Sequence, residues 1–149
     1  MYKRQVNECQ KELLVKKLVK RLGNDLSGKT IALWGLAFKP ETDDMREATS
    51  LVVMDMLVKA GARVRVFDPV AMNECKRRVG DIVEYATDMY DALVDADAML
   101  MLTEWKQFRM PSWNVIARTM RNPLIIDGRN IYDPEELLSM GIEYHCIGR

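Results

Sequence analysis

From Thr30 onward, short apolar runs alternate with stretches patterned as helices, and no other property of this chain narrows its fold as much. Thr30 to Trp34 opens the series, preceded by Ser27-Gly28-Lys29 and ended by Gly35, as expected of a buried first strand. Val64 to Phe67 reads as strand two, Ile82 to Tyr85 as three, Ala98 to Leu102 as four, Leu124 to Ile126 as five, and Ile142 to Ile147 as the last. Between them, Ala48 to Ala60 carries Leu51, Val52, Met54, Leu57 and Val58 at helical spacing, with Thr49 and Ser50 as candidate caps and Gly61 as stop signal. Ala71 to Val79, Asp88 to Val94 and Pro134 to Met140 read as further helices. Strands separated by crossovers of that length pair in parallel and connect right-handedly. The expected class is therefore α/β, a Rossmann-like three-layer fold with a mainly parallel sheet, preceded by an amino-terminal helix. In that helix, Lys11 to Leu22, an apolar stripe of Leu14, Val15, Leu18, Val19 and Leu22 ends at Gly23-Asn24. The stripe reads as the face that docks on the sheet; a partner surface is the other reading.

In an open α/β sheet, ligands bind outside the carboxyl ends of the strands, here in the crevice between strands one and four with strand five beside four. Phe38 and Lys39 follow strand one, Thr103-Glu104-Trp105 follows strand four, and Arg129 follows strand five. Unpaired backbone N–H groups near a helix start attract anions, and Lys39 and Arg46 add full charges, so the expected ligand is negative. Arginine's planar fork suits phosphate oxygens, which favours Arg129 together with Lys39 as holders of a diphosphate. The other reading leaves Lys39 and Arg46 as solvated charges paired with Glu41, Asp43, Asp44 or Glu47. The loop has Gly35 but no second and third glycine, so the dinucleotide fingerprint is absent. Asp68, at the end of strand two, is placed like a ribose-binding acid, but with Pro69 behind it reads as a turn residue. Trp105 reads as packed against the short helix after it, and Asp127 as an acceptor for backbone amides through the Gly128 turn.

A chain of 149 residues can bury a substantial core. Its 22 basic and 22 acidic residues cancel, which argues against nonspecific nucleic-acid or membrane binding. No apolar stretch is long enough to span a bilayer and the start lacks a signal-peptide pattern, so the expected compartment is the cytoplasm. Cys9, Cys75 and Cys146 form neither a disulfide framework nor a zinc pattern, and His145 stands alone, so no metal site is expected.

Gly35 to Glu47, reading Gly-Leu-Ala-Phe-Lys-Pro-Glu-Thr-Asp-Asp-Met-Arg-Glu, resembles the opening of the C-terminal UDP-binding domain of the UDP-glucose/GDP-mannose dehydrogenase family. Val66-Phe67-Asp68-Pro69, Thr103-Glu104-Trp105 and Asp127-Gly128-Arg129-Asn130 follow in the family's order, and the wording of these motifs is most similar to members that oxidise UDP-glucose. Asn7 and Gln10 resemble the helix that ends the family's central region. The resemblance implies two segments, 1–25 as the end of that helix with its linker and 26–149 as the UDP-sugar-binding domain. It implies that Phe38, Lys39 and Arg129 contact the UDP-sugar and that Arg46 contacts NAD, which a separate Rossmann domain mainly holds. It also implies the reaction of the longer protein. Two NAD-dependent oxidations take the sugar C6 alcohol to a carboxylate through a cysteine-bound thiohemiacetal and thioester, in a homodimer or higher homo-oligomer. None of Cys9, Cys75 or Cys146 sits in the Gly-rich context of the family's nucleophile, so no catalytic residue is expected here and the chain by itself is expected to be inactive. Related members oxidise UDP-N-acetylhexosamines or GDP-mannose, and a stand-alone nucleotide-binding module is the reading from another class.

Overall fold

The structure, a computed structural model, describes residues 2–46 and 48–147, with side chains described from Glu12 except at Glu47. Glu47, named above as an ion-pair partner, and the side chains of Asn7, Cys9 and Gln10 lie outside the described residues. The elements run α1 (Tyr2–Leu22), β1 (Thr30–Trp34), α2 (Thr49–Lys59), β2 (Arg63–Phe67), α3 (Met72–Val79), β3 (Glu84–Tyr85), β4 (Ala98–Met101), α4 (Lys106–Arg109), α5 (Trp113–Thr119), β5 (Leu124–Asp127), α6 (Pro134–Ser139) and β6 (Glu143–Cys146). The six strands form one sheet in the order β3-β2-β1-β4-β5-β6, every pair parallel. This is the doubly wound order, with its switch point between β1 and β4 as expected.

The strands read as continuous apolar runs because both faces of the sheet are covered. Side chains alternate between two cores. Ile31, Leu33, Val64, Val66, Leu100, Leu124 and Ile126 pack with Leu14 and Leu18 of α1, Val53, Met54 and Leu57 of α2, and Cys75 of α3. Ala32, Trp34, Met99, Met101 and Ile125 pack on the other face with Leu93, Phe108, Ile116 and Leu137. Trp34 stacks on Phe108 with centroids 4.9 Å apart and donates its indole N–H to the Met89 carbonyl at 2.8 Å.

The stripe of α1 is core: Leu14, Val15 and Leu18 are buried and Val19 and Leu22 are partly so. Burying each leucine is worth about 1.5 to 3 kcal/mol. Lys17 Nζ donates to the Cys146 carbonyl at 2.8 Å, and Arg21 pairs with Glu143, so polar contacts tie the helix to β6 as well. Gly23, at φ 99°, turns the chain out of the helix by donating its N–H to the Val19 carbonyl.

Three expectations need correction. Neither Thr49 nor Ser50 caps α2, whose N-cap is Ala48; the Ser50 hydroxyl donates to the Leu36 carbonyl at 2.6 Å instead. Asp88 to Val94 is not a helix but a single 3₁₀ turn at Asp91–Leu93. Asp88 Oδ1 accepts from the amides of Tyr90 and Asp91, and Asp91 Oδ2 from that of Thr87, as at a helix start, but the turn goes no further: Val94 leaves helical geometry at ψ 119°, and Asp95, at φ 56°, donates its N–H to the Thr119 carbonyl. Strand three shrinks to Glu84–Tyr85, because Ile82 ends a 3₁₀ turn and is exposed. Helix α5 was not anticipated, although Trp113, Ile116, Ala117 and Met120 hold helical spacing and Ser112 caps it by accepting from the Val115 amide.

Candidate functional site

The loop leaving β1 is shaped by the end of β4. Gly35 has φ 98°, and a Cβ there would lie 2.5 Å from both the backbone nitrogen and the Cβ of Thr103. Only glycine allows the two chains to approach so closely. The Thr103 hydroxyl donates to the Ala37 carbonyl at 2.7 Å, locking the loop from below. Beyond this anchor the chain surfaces: Leu36 and Ala37 are buried, whereas Phe38 is 60% exposed and Lys39 is exposed. The Phe38 amide donates to the Asp44 carbonyl at 2.7 Å, closing residues 38–44 into a loop whose Glu41 has φ 68°.

Lys39 makes no ion pair with a described residue, so its ammonium is available to an anion. Arg46 is engaged. Its Nε and one terminal nitrogen reach the two carboxylate oxygens of Asp44 at 3.0 and 2.9 Å. Those hydrogen bonds, with that from the Arg46 amide, hold the Asp44 carboxyl down at about 2.

Two buried aspartates organise the strand ends. Asp127, fully buried at the end of β5, accepts the amides of Arg129 and Asn130 on Oδ1, both at 2.9 Å. Its Oδ2 takes the amides of Ile131 and Tyr132 at 2.8 and 3.1 Å and the Tyr144 hydroxyl at 2.8 Å. Burial and the neighbouring Asp127 charge push both tyrosine hydroxyls well above their ordinary range, keeping them neutral donors. The turn so formed presents Arg129, half-exposed, to Glu104 in the loop after β4, and the two form a close ion pair.

Asp68 is the second. On Oδ1 it accepts the amides of Val70 and Ala71, both at 2.8 Å, which is the turn role read from the sequence. Its Oδ2 does more: it accepts the amides of Leu36 and Ala37 at 2.7 and 3.1 Å and the Trp105 indole N–H at 3.0 Å. The amides of Leu36 and Ala37, at the end of β1, are therefore already paired. Trp105 is 5% exposed at the start of α4, packed as expected.

A chain of contacts from Ala37 through Thr103 and Glu104 to Arg129 thus ties the loops after β1, β4 and β5 together. Phe38, Lys39 and Arg129 stand on that cluster, and Arg46 is joined to it only through Asp44, whose carbonyl accepts the Phe38 amide. The roles of Glu104 and of the inward oxygen of Asp68 were missed, because both depend on neighbours more than 20 residues away in sequence. A cavity of about 250 Å³ lined by Arg109, Trp113, Tyr132 and Glu136 includes none of the candidate residues. Among the described residues no acid, histidine and cysteine cluster could hold a metal ion, and no helix is long and apolar enough to cross a membrane.

Residues 32–134 match the model of the UDP-glucose/GDP-mannose dehydrogenase family, UDP binding domain. Over 148 aligned residues and 96% of its length, the chain is 46% identical to the UDP-glucose 6-dehydrogenase of Pseudomonas aeruginosa, covering 33% of that protein. A UDP-glucose 6-dehydrogenase of Bacillus subtilis is 45% identical over 97% of the chain and 32% of its own length. The chain thus spans about a third of the curated relatives it matches. Among solved structures, a UDP-glucose dehydrogenase from Pyrobaculum islandicum superposes with a TM-score of 0.80 at 33% identity, over 95% of this chain and 30% of that one. A UDP-D-ManNAc dehydrogenase from Pyrococcus horikoshii gives 0.73 at 25% identity, over 98% and 32%.

Proposed function

The chain belongs to the UDP-glucose/GDP-mannose dehydrogenase family, whose UDP-binding domain it matches, and we propose that it grips the nucleotide of a UDP-sugar between the Phe38-Lys39 loop and Arg129. The observation that carries this reading is the tethering of the loops after β1, β4 and β5 at the switch point, with an exposed aromatic ring, an unpaired ammonium and a guanidinium on one cluster. Phe38 offers an apolar face to base or ribose. Lys39 neutralises phosphate charge, and Arg129 forms directed bonds to phosphate or ribose oxygens while sharing its charge with Glu104.

In the longer protein the proposed reaction is oxidation of UDP-glucose to UDP-glucuronate. That four-electron oxidation would consume two NAD, held mainly by another domain as hydride acceptors, and one water. Arg46 is proposed to face that NAD, exchanging Asp44 for it. Lys39 and Arg129 position the substrate; the present chain supplies no group to the reacting carbon and is proposed to be inactive alone. The proposal extends to residues 1–25 as the link from a preceding domain, to a homodimer or higher homo-oligomer, and to a cytoplasmic setting. The sugar is the softer part: the Pyrococcus horikoshii structure with the same fold is a UDP-D-ManNAc dehydrogenase.

The test is a titration of the chain with UDP, UDP-glucose and NAD followed by amide chemical shifts. UDP and UDP-glucose are expected to move Phe38, Lys39 and Arg129, and Lys39→Ala or Arg129→Ala to weaken UDP binding about tenfold or more, the scale of one charge-assisted hydrogen bond. Equal UDP affinity in wild type and both variants would reject the clamp.

A further inference from the structure

Asp68 is 1% exposed, and no described cation pairs with it. A carboxylate is tolerated in such a place only when hydrogen bonds replace its water, and five donors do so here. Their origin is informative. Two belong to the turn that Asp68 itself begins, but the other three come from the loop after β1 and from Trp105 beyond β4, 31 to 37 residues away. In a doubly wound sheet the amides of the loop after β1 are the donors offered to a ligand's phosphate, and an acid at the end of β2 reaches outward to a ribose. In this chain the acid at that strand end is turned inward onto those amides. The two halves of a dinucleotide site satisfy each other.

We propose that Asp68 is a resident anion. Its carboxylate fills the donor nest of Leu36, Ala37 and Trp105, holds the loop that carries Phe38 and Lys39, and excludes a dinucleotide pyrophosphate from the nest, so that phosphates bound at this edge lie outward on side-chain cations. The inference stands apart from the UDP-sugar reading, since it concerns where a phosphate does not go. It accounts for the missing glycines: with the anion built in, no ligand has to approach the backbone, and Leu36 and Ala37 point their side chains into the core instead.

Chemical rescue tests it. Asp68→Ala leaves a space the size of a carboxylate, which formate fits. Its thermal midpoint is expected to fall below that of wild type and to regain at least half of the loss as sodium formate replaces sodium chloride at constant ionic strength, saturably. The amide resonances of Leu36 and Ala37 should return toward their wild-type positions, which a purely steric role for Asp68 would not produce. Wild type should respond to formate no more than to chloride. If Asp68→Ala does not fold in chloride, refolding from urea in formate is expected to recover severalfold more folded protein, and equal yields in the two salts overturn the proposal. Asp68→Ser keeps an acceptor for Val70 and Ala71 while withdrawing the shared oxygen, so wild-type stability and formate indifference in that variant also overturn it. NAD added to wild type should leave the Leu36 and Ala37 amides in place; largest shifts at those two amides would show a pyrophosphate in the nest.

Discussion

Replacing Asp127 by asparagine changes one atom and a charge in a fully buried site, which makes its cost calculable. The carboxylate serves four backbone amides and the Tyr144 hydroxyl, two donors on one oxygen and three on the other. An asparagine keeps one oxygen and turns an NH2 group toward the remaining donors. Whichever way it faces, two backbone N–H groups meet a donor instead of an acceptor, while the Tyr144 hydroxyl can rotate and accept. A buried donor left unpaired costs about 1 to 3 kcal/mol, so two cost roughly 2 to 6; with some relaxation, Asp127→Asn should lose about 3 kcal/mol. For a chain of this size that lowers the thermal midpoint by roughly 6 to 12 °C. Urea unfolding followed by tryptophan fluorescence and far-ultraviolet circular dichroism measures it, with an unchanged denaturant slope showing that the denatured state is unaltered. Asp133→Asn is the control, since Asp133 is exposed and caps α6 through one bond to the Glu135 amide. Asparagine caps equally well, so that change should stay within about 0.5 kcal/mol. A loss below about 1 kcal/mol at Asp127 would refute the claim that its hydrogen bonds hold the Arg129 turn.

Gly35→Ala forces a Cβ against Thr103 at a positive φ and should cost about 2 to 4 kcal/mol in the same urea assay; a neutral result would mean the two loops are not in close approach. Asp44 should remain ionised down to about pH 2 in the folded chain. Because its pKa is depressed, the stabilisation is present above the ordinary value of 3.8 and is lost as pH falls through about 2. Arg46→Ala should move the carboxyl resonance midpoint of Asp44 up toward 3.8, and an unmoved midpoint would show that the pair does not form in solution. Leu18→Lys places an ammonium in the dry interface of α1 and should destabilise by about 3 kcal/mol or more; full stability in circular dichroism would return the stripe to the surface reading.

The parallel sheet was legible because β1, β4 and β5 are buried on both faces and so, apart from Thr30 and Asp127 at strand ends, are written in unbroken apolar residues. The Asp127 turn was legible too, since most of its partners lie within five residues. What escaped was set at longer range or by competition. Asp68 looked like a local turn because its other three partners come from loops that only the finished sheet brings near. The segment Asp88 to Val94 had helical composition and is capped like a helix, yet it stops after one turn because the Asp95 amide goes to the Thr119 carbonyl, a partner 24 residues on. Ser50 looked like a cap because serine usually is one at a helix start, while the Leu36 carbonyl offered a buried partner.

The family match begins at Ala32 and ends at Pro134, but the dry surface of the protein does not. Leu14 and Leu18 of α1 lie against the sheet before the match opens, Thr30 and Ile31 begin β1 outside it, and β6 pairs with β5 after it closes. A piece cut to the matched residues would bare the edge of β5, strip the apolar face that α1 covers and leave α6 as a stub. Open strand edges beside uncovered leucines are what chains use to adhere to their own copies. The boundary that matters for handling this domain as an object is therefore drawn by burial, and it falls on the amino-terminal side of Leu14 and beyond Cys146.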